Sequence, residues 1–355
     1  MRIGLSSPVL ADSGPRPPWE AEAGVAELRT VFTTADRLGY EFFTCPEHVS
    51  VSPGLARGER FYDPVATFSY LAAITERIRF LPYVLVLGLH HPLELAKRYG
   101  TLDHLSGGRV VLGVGVGNLE EEFALLGRPF ADRGPRADDA LRALRASLSV
   151  RLATYHGEYY HFTEQVISPH AVQQKVPIWV GGHSRRALRR AVTLGDGWAP
   201  APVTYRGPDL ETLPRMLAEH DLPEGFDVVI TPPARLDPTG APEAALDLVG
   251  RIGEAGATVV NLVVRTVTWP STSTSSRRQR SSSVSTAATE HCSGRRDPAT
   301  SPGVHGHAAF GMFDQPLRSA RAYQPDAARV PPSTGIVCPV TKRASSLARN
   351  STTAA

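Results

Sequence analysis

The strongest chemical signal in the chain is a glycine pair that leads into a helix, in the segment 179–190, WVGGHSRRALRR. The apolar run 176–182 predicts a strand that delivers Gly181 and Gly182 directly to a helix capped by Ser184. The N-terminus of a helix offers free N–H groups and a positive dipole, and glycines let a ligand approach the backbone. The pattern predicts a phosphate site, with two arginines adding charge. An ordinary capped helix is the alternative.

A histidine is the second candidate for chemistry. His48 comes directly after an aromatic strand predicted over 40–45. Imidazole titrates near neutrality, so His48 could donate a hydrogen bond or a proton to a bound ring or substrate. An incidental loop histidine is the alternative. His90 and His91 follow the next strand, but no Asp, Glu or Cys at metal-ligand spacing accompanies them, so we expect no metal site.

Two apolar runs between His48 and the segment 179–190 predict further strands. The run 78–87 predicts one long strand, and the run 109–117 predicts a strand buried on both faces. In the second run, the glycines at 113, 115 and 117 remove side chains where the strand ends. They could let a flat ligand lie against the backbone, or they could relieve crowding inside a barrel. Their spacing is not G-x-G-x-x-G, so the dinucleotide-binding fingerprint fails.

The alternation of strands and helices shows which elements position these residues. It repeats about eight times over 1–265, which predicts an α/β fold with a parallel sheet. This count favours a closed (β/α)8 TIM barrel over the commoner doubly wound sheet. The alternation is interrupted near 150–175, where 155–162 predicts a hairpin. In parallel α/β folds the C-terminal ends of the strands carry the ligand, so the candidate residues are expected at one end.

Composition limits the function classes. Apolar residues make up 42% of the 355 residues and charged residues 21%, as in ordinary soluble domains. The sequence shows neither a signal-peptide core nor a membrane span, and its three cysteines cannot form a disulfide framework. We therefore predict a cytoplasmic protein without a membrane partner. Residues 266–355 carry 11 basic and 4 acidic side chains, whereas 1–265 carry 27 and 31, so we expect no nucleic-acid partner.

The last ninety residues differ in character. From 266 to 355 the chain is rich in Ser, Thr, Ala, Arg and Pro without periodicity, which predicts a disordered basic tail after a barrel domain over 1–265. A barrel needs one more helix after the strand predicted at 257–264. With GC-rich codons for Arg265 to Arg278, a shifted reading frame encodes an amphipathic helix. We hypothesise that the tail is a frame-shifted reading of a lost final helix; a genuine disordered extension is the alternative, and the nucleotide sequence distinguishes them.

Several stretches together resemble the bacterial luciferase-like monooxygenase superfamily, and within it the coenzyme F420-dependent oxidoreductases. The stretches that carry the resemblance are Cys45-Pro-Glu-His48, Thr75-Glu-Arg-Ile-Arg79, Leu102-Asp-His-Leu-Ser-Gly-Gly-Arg109, Gly113-Val-Gly-Val-Gly117 with Glu121-Glu122-Phe123, Tyr155-His-Gly-Glu-Tyr159, and Pro177-Ile-Trp-Val-Gly-Gly-His-Ser184 with Gly195-Asp-Gly-Trp198. They cover roughly 1–265 in the same order as in the family. The resemblance distinguishes F420 from FMN less sharply than it identifies the superfamily.

The resemblance implies a barrel with an insertion near 150–175 and a flavin or deazaflavin ring lying across the strand ends. It implies a bulge after the third strand that backs the ring, and a histidine that contacts the ring or assists proton transfer. The residues so assigned are Val86, Leu87 and Gly88 at the bulge, Gly115, Gly117 and Asn118 at the border of the ring, Gly181, Gly182, His183 and Ser184 at the phosphate, and His48 at the reacting atoms. Two positions depart from the pattern: Asn118 stands where relatives often carry Trp, and Val116 offers no acidic proton donor, so a sugar phosphate substrate is not expected.

The function implied by the resemblance is hydride transfer between F420 and a small organic substrate. An FMN-dependent monooxygenase that uses reduced flavin and oxygen is one alternative. A catalytically impaired cofactor-binding protein, caused by a disrupted barrel end, is the other. The substrate, the direction of the reaction and the oligomeric state, a homodimer included, stay open.

Overall fold

The first and last strands of the barrel region pair with each other, which closes the sheet. The computed structural model describes residues 1–11, 17–54, 58–200 and 210–265. All of them lie in the first of two units, Met1–Ser276 and Arg277–Ala355. Strand β1 (Arg2–Ser6) pairs in parallel with β2 (Phe42–Cys45) on one side and with the last described strand, Val259–Leu262, on the other. The predicted barrel is therefore confirmed, and the doubly wound sheet is excluded.

The remaining described strands follow in chain order. They are β3 (Arg79–Pro82), β4 (Leu85–Val86), β5 (Leu112–Gly115), β6 (Leu152–His156), β7 (His161–Val166), β8 (Ile178–Gly181), β9 (Gly197–Ala199), β10 (Asp227–Ile230) and β11 (Val259–Leu262). Nine of the eleven described strands form one sheet in the order β3-β2-β1-β11-β10-β9-β8-β5-β4. A parallel bridge between Phe80 and Val110 joins β3 to the start of β5. Since β4 continues β3 and also pairs with β5, the two short strands act as one broken barrel strand.

Helices surround this barrel in the described ranges. They are α1 (Pro18–Glu22), α2 (Val25–Leu38), α3 (Pro64–Ala72), α4 (Pro92–Ser106), α5 (Glu120–Leu125), α6 (Arg133–Arg145), α7 (Arg185–Leu194), α8 (Leu213–Ala218) and α9 (Pro242–Glu254), with a 3-10 turn at Leu87–Leu89. Their ends follow local signals. Gly39 and Gly107, both at positive φ, end α2 and α4, and the Asp63 carboxylate caps α3 by accepting from Ala66 N at 2.7 Å. None of the described helices is both long and apolar enough to cross a membrane.

The third barrel strand differs from its prediction. The sequence predicts one strand over 78–87, but the pairing stops after Pro82 and resumes at Leu85. The Tyr83–Val84 peptide between them is cis. The prediction of one uninterrupted strand is therefore wrong, because a continuous apolar run gives no signal of where the backbone leaves the sheet.

The predicted hairpin near 155–162 is present as an excursion outside the barrel. Strands β6 and β7 pair with each other in antiparallel fashion and form a separate two-stranded sheet. The carboxylate of Asp139, on α6, holds the hairpin by accepting from the Tyr155 hydroxyl at 2.5 Å and from the amides of Tyr159 and Tyr160 at 2.7 and 3.1 Å. The low-complexity tail and the helix expected after β11 lie outside the described residues.

Asp196 ties the β8–α7–β9 unit together and predicts an acid-sensitive contribution to stability. Its carboxylate accepts from Ile178 N at 2.9 Å and pairs with Lys175 at 2.5 Å and with Arg145. Burial opposes ionisation of Asp196, but the Lys175 ammonium, the Ile178 amide and the Arg145 guanidinium outweigh burial and lower its pKa. A lowered folded-state pKa stabilises the fold above the unfolded-state value of about 3.9, and the contribution is lost as the pH falls through the folded-state value.

We therefore expect Asp196→Asn to lower the free energy of unfolding by about 2 kcal/mol at neutral pH. The difference from the parent should shrink as the pH falls below about 4, because the Asp196 carboxylate of the unfolded chain takes up its proton there, before that of the folded protein does. Urea unfolding across this pH range measures it. The exposed Asp247→Asn on α9 is the control, and a difference that stays constant with pH would contradict the assignment.

Candidate functional site

The predicted site residues gather at one end of the barrel. Neighbouring barrel strands are parallel, so β2, β5 and β8 end at the same edge. His48 lies three residues beyond the end of β2, Gly117 and Asn118 two and three residues beyond β5, and Gly182 directly beyond β8. The topology therefore brings together the residue groups that the sequence could only place separately.

The phosphate seat is predicted at the N-terminus of α7. The Ser184 hydroxyl caps the helix by accepting from Ala187 N at 3.2 Å, and the first backbone bond runs from Leu188 N to Ser184 O at 3.0 Å. Within the described residues, the amides of Arg185 and Arg186 have no protein acceptor. These two donors are among the groups that a helix end leaves for a ligand.

Charge and backbone shape at this seat also suit an anion. The first turn of α7 holds no acidic residue, and His183 is exposed beside it. The Arg185 guanidinium pairs with Glu219 at 2.9 Å, whereas Arg186 is exposed and forms no ion pair with any described residue. Gly182 has a φ of +98°, and a Cβ there would lie 2.9 Å from the Ala187 Cβ, so a side chain would strain the turn. The residues present therefore fit the phosphate of a flavin or deazaflavin.

A tryptophan on the neighbouring strand fixes the same turn. The indole Nε1 of Trp198, on β9, donates to the carbonyl of Gly182 at 2.8 Å. The Trp198 side chain is fully buried, and Gly181 before it in the turn is buried as the last residue of β8. The orientation of the glycine pair is thus set by the neighbouring strand and is independent of any ligand.

The glycines at the end of β5 have a packing role. A Cβ on Gly115 would lie 2.8 Å from a methyl carbon of Val84, and one on Gly117 would lie 2.6 Å from the Phe123 ring. A Cβ on Gly113 would lie closer still to its neighbour, only 2.3 Å from the Pro82 carbonyl oxygen. Relief of crowding therefore accounts for these glycines. That Gly115, Gly117 and the exposed Asn118 also border a ring stays a prediction.

That Val86, Leu87 and Gly88 form a bulge that backs a ring stays a prediction. All three are buried, Val86 in β4 and the other two in the 3-10 turn. The sheet pairing is interrupted just before them, at Tyr83–Val84, and both of these residues are partly exposed. The two methyl groups of Val84 lie against the Cβ positions of Gly115 and Gly181. Sequence reasoning missed Val84, since nothing distinguishes it within its apolar run.

His48 is held by a carboxylate that the sequence did not single out. Its Nδ1 lies 3.2 Å from Oε2 of Glu122, on α5, and the other oxygen of Glu122 accepts from Val49 N at 2.7 Å. The ring also packs edge-on against Phe61, with centroids 4.5 Å apart. Burial opposes ionisation of Glu122, but the hydrogen bonds from His48 and Val49 N outweigh burial and lower its pKa.

A second carboxylate joins the loop after β2 to the broken third strand. Glu47 is 9% exposed; its Oε2 accepts from Val86 N at 2.8 Å and its Oε1 lies 2.7 Å from His90 Nε2. The residues that follow the break are thereby tied to the segment that carries His48. The adjacent pair Glu47-His48 just past a strand was the only sequence signal for this contact.

An open cleft of about 490 Å³ adjoins the two histidines. His48, Phe61 and His90 line it together with Leu89 and Arg128. Within the described residues no group of three or more His, Cys, Asp or Glu side chains could hold a metal ion. The arrangement can therefore offer an oriented imidazole beside a solvent-connected space, and an anion seat at the same barrel end.

Comparison with known proteins places the chain in a family. A family model described as luciferase-like monooxygenase matches residues 1–301. An uncharacterised protein of Mycobacterium tuberculosis is 34% identical over 201 residues, which are 56% of this chain and 67% of the relative. An FMNH2-dependent dimethylsulfone monooxygenase of Pseudomonas putida is 27% identical over 172 residues, 47% of this chain and 46% of that protein.

A solved structure shares the fold. The coenzyme F420-dependent tetrahydromethanopterin reductase of Methanopyrus kandleri superposes with a TM-score of 0.57 at 16% sequence identity. The alignment covers 73% of this chain and 92% of the reductase. At this identity the likeness shows the fold, and the choice between a flavin and a deazaflavin has to come from elsewhere.

Proposed function

Because this chain belongs to the luciferase-like monooxygenase family, we propose that it is an oxidoreductase that transfers hydride between coenzyme F420 and a small organic substrate. The observation that carries the proposal is a carboxylate-held imidazole, His48, at the barrel end where the N-terminus of α7 leaves two amides free. An anion seat without an oriented proton group would support only binding. The two together support binding followed by proton movement.

The chain's own residues have distinct parts in this proposal. Gly182, His183 and Ser184, with the amides of Arg185 and Arg186, would hold the cofactor phosphate. When bound, the cofactor supplies the centre that accepts or gives the hydride. His48 would take the substrate proton in one direction and return it in the other. The buried strand ends around Val84 would exclude water from one side of the ring.

An FMN-dependent monooxygenase is the second candidate. The Pseudomonas putida relative, named as FMNH2-dependent, favours it. The anion seat does not separate the two, because both cofactors carry a phosphate on the chain attached to a flat ring. The difference lies in the ring, where the deazaflavin lacks the nitrogen that flavin uses in its reaction with oxygen.

Cofactor binding by the purified full-length chain tests the proposal. Fluorescence titration with F420 and FMN should give at least about tenfold tighter binding of F420, or about 1.4 kcal/mol. At one hundred times the Kd, F420 should add about 2.7 kcal/mol to stability and raise the Tm. Tighter FMN binding with oxygen consumption in the presence of reduced FMN would replace the first candidate by the second. No rise in Tm with either cofactor would favour the impaired protein.

Two controls isolate the phosphate seat. Riboflavin differs from FMN only by the phosphate, so FMN should bind at least about tenfold more tightly than riboflavin. Gly182→Val places a side chain where the Ala187 Cβ already lies within 2.9 Å and φ is +98°. This variant should remove most of the preference for FMN over riboflavin. An unchanged preference would place the phosphate elsewhere.

A further inference from the structure

We infer that Glu122 is a positioning residue that sets which nitrogen of His48 takes part in proton transfer; the inference rests on the proposed role of His48. Glu122 accepts from two groups on adjacent residues, His48 Nδ1 at 3.2 Å and Val49 N at 2.7 Å. The side chain of Glu122 is 4% exposed and that of His48 13%. One buried carboxylate therefore fixes both the imidazole and the backbone that follows it.

The chemistry of a carboxylate decides the tautomer. An ionised carboxylate can only accept hydrogen bonds, so the contact with Glu122 requires the proton on Nδ1 of His48. In the neutral ring, Nε2 then carries the lone pair. In the proposed reaction Nε2 would take the proton of a substrate hydroxyl: the O–H bond breaks, an N–H bond forms, and the freed electron pair becomes the second C–O bond as the carbon gives up hydride, for which the bound cofactor would supply the acceptor. The resulting imidazolium stays hydrogen-bonded to the Glu122 carboxylate, and the reverse reaction returns the proton.

The position of Glu122 is fixed by its neighbour. Phe123 is 1% exposed and packs edge-on against Phe130, with centroids 5.3 Å apart. Its ring occupies the space beside two glycines: a Cβ on Gly88 would lie 2.7 Å from a ring carbon, and a Cβ on Gly117 would lie 2.6 Å from one. The short helix α5 is thereby anchored to the ends of two barrel strands, and this anchor directs Glu122 toward the loop that carries His48. The contact between Glu122 and His48 is thus supported by packing against the barrel strands.

A purely structural role for Glu122 is the competing explanation. In that case the carboxylate serves only to satisfy Val49 N and to hold the loop. Glu122→Gln separates the two roles, because the amide oxygen can keep the Val49 N–H bond while the amide nitrogen, a donor, faces His48 Nδ1. The loop contact survives, but Nδ1 must now accept, and the proton has to move to Nε2.

Nitrogen NMR of the full chain labelled with 15N-histidine reads the tautomer directly. Above about pH 8 an ordinary imidazole is neutral, and its protonated and unprotonated nitrogens resonate far apart. The His48 signals are those that vanish in His48→Gln. We expect the proton on Nδ1 in the parent and on Nε2 in Glu122→Gln. The matched control is Glu121→Gln, an exposed neighbour on the same helix, which should keep the parent pattern.

The outcomes are distinct. A parent spectrum with the proton on Nε2 overturns the inference, and it does so without any variant having to fold. An unchanged tautomer in a folded Glu122→Gln also overturns it. The proposed function is tested separately, because F420 or FMN binding should stay within about threefold of the parent in both variants. Loss of binding in the parent would reject the proposed function while leaving the tautomer assignment standing.

Discussion

Replacing Asp103 with alanine should lower the free energy of unfolding by about 3–5 kcal/mol. Asp103 lies on α4 and is fully buried. Its carboxylate accepts from Val110 N at 3.2 Å, Val172 N at 2.9 Å, Gln173 N at 3.1 Å and Gln173 Nε2 at 2.7 Å. Alanine leaves these donors without their acceptor, and each buried donor so orphaned costs about 1–3 kcal/mol, reduced where water can reach it.

The expected loss is large because Asp103 joins three parts of the chain. It connects α4 to Val110, two residues before β5, and to the segment that returns from the β6–β7 hairpin to the barrel. Total stabilities of single domains are about 5–15 kcal/mol, so this one change could remove a large fraction. Urea unfolding at neutral pH measures it.

Asp247→Ala is the matched control for Asp103→Ala. Asp247 is 71% exposed on α9 and pairs with Arg251 at 3.6 Å, a surface pair whose loss should cost less than about 1 kcal/mol. If Asp103→Ala costs no more than this control, water or a rearranged backbone must replace the carboxylate. The buried cluster would then not be what attaches the hairpin to the barrel.

Local signals in the sequence predict most of the element boundaries. Gly39 and Gly107 end helices because left-handed backbone costs glycine little, and Ser184 begins one because its hydroxyl satisfies an early amide. These effects involve residues within one turn of each other, so the sequence contains all of the information. The barrel itself follows from repeated strand–helix alternation, and the pairing of β1 with β11 confirms it.

Contacts between distant residues explain what the sequence could not predict. Glu122 is one of three consecutive glutamates, and its partner His48 lies 74 positions away. Only the docking of α5 by Phe123 decides which of the three faces the histidine. Likewise, the break at Tyr83–Val84 lies inside a uniform apolar run, and the glycines of β5 are compatible with both a ligand and a tight packing contact.

His48→Gln should slow turnover by about 10²–10⁴-fold if His48 moves the substrate proton. Glutamine can still donate to Glu122 and fill part of the space against Phe61, but its amide cannot take up a proton near neutral pH. The reaction is followed by the absorbance of F420 at saturating cofactor. A panel of small alcohols is first tested with oxidised F420, and a panel of unsaturated ketones with reduced F420. The kcat of the compound that reacts fastest is then compared between parent and variant.

The matched control for His48→Gln is the other histidine of the same cleft. His90→Gln keeps a donor for Glu47 and should leave kcat within about threefold of the parent, because His90 holds the loop and has no part in the proton transfer. Cofactor affinity should be close to that of the parent in both variants, since the phosphate seat lies on α7. Equal slowing of both variants would mean that the shape of the cleft matters and the His48 proton does not. A fast His48→Gln would leave the reaction to a proton group on another loop at the same barrel end.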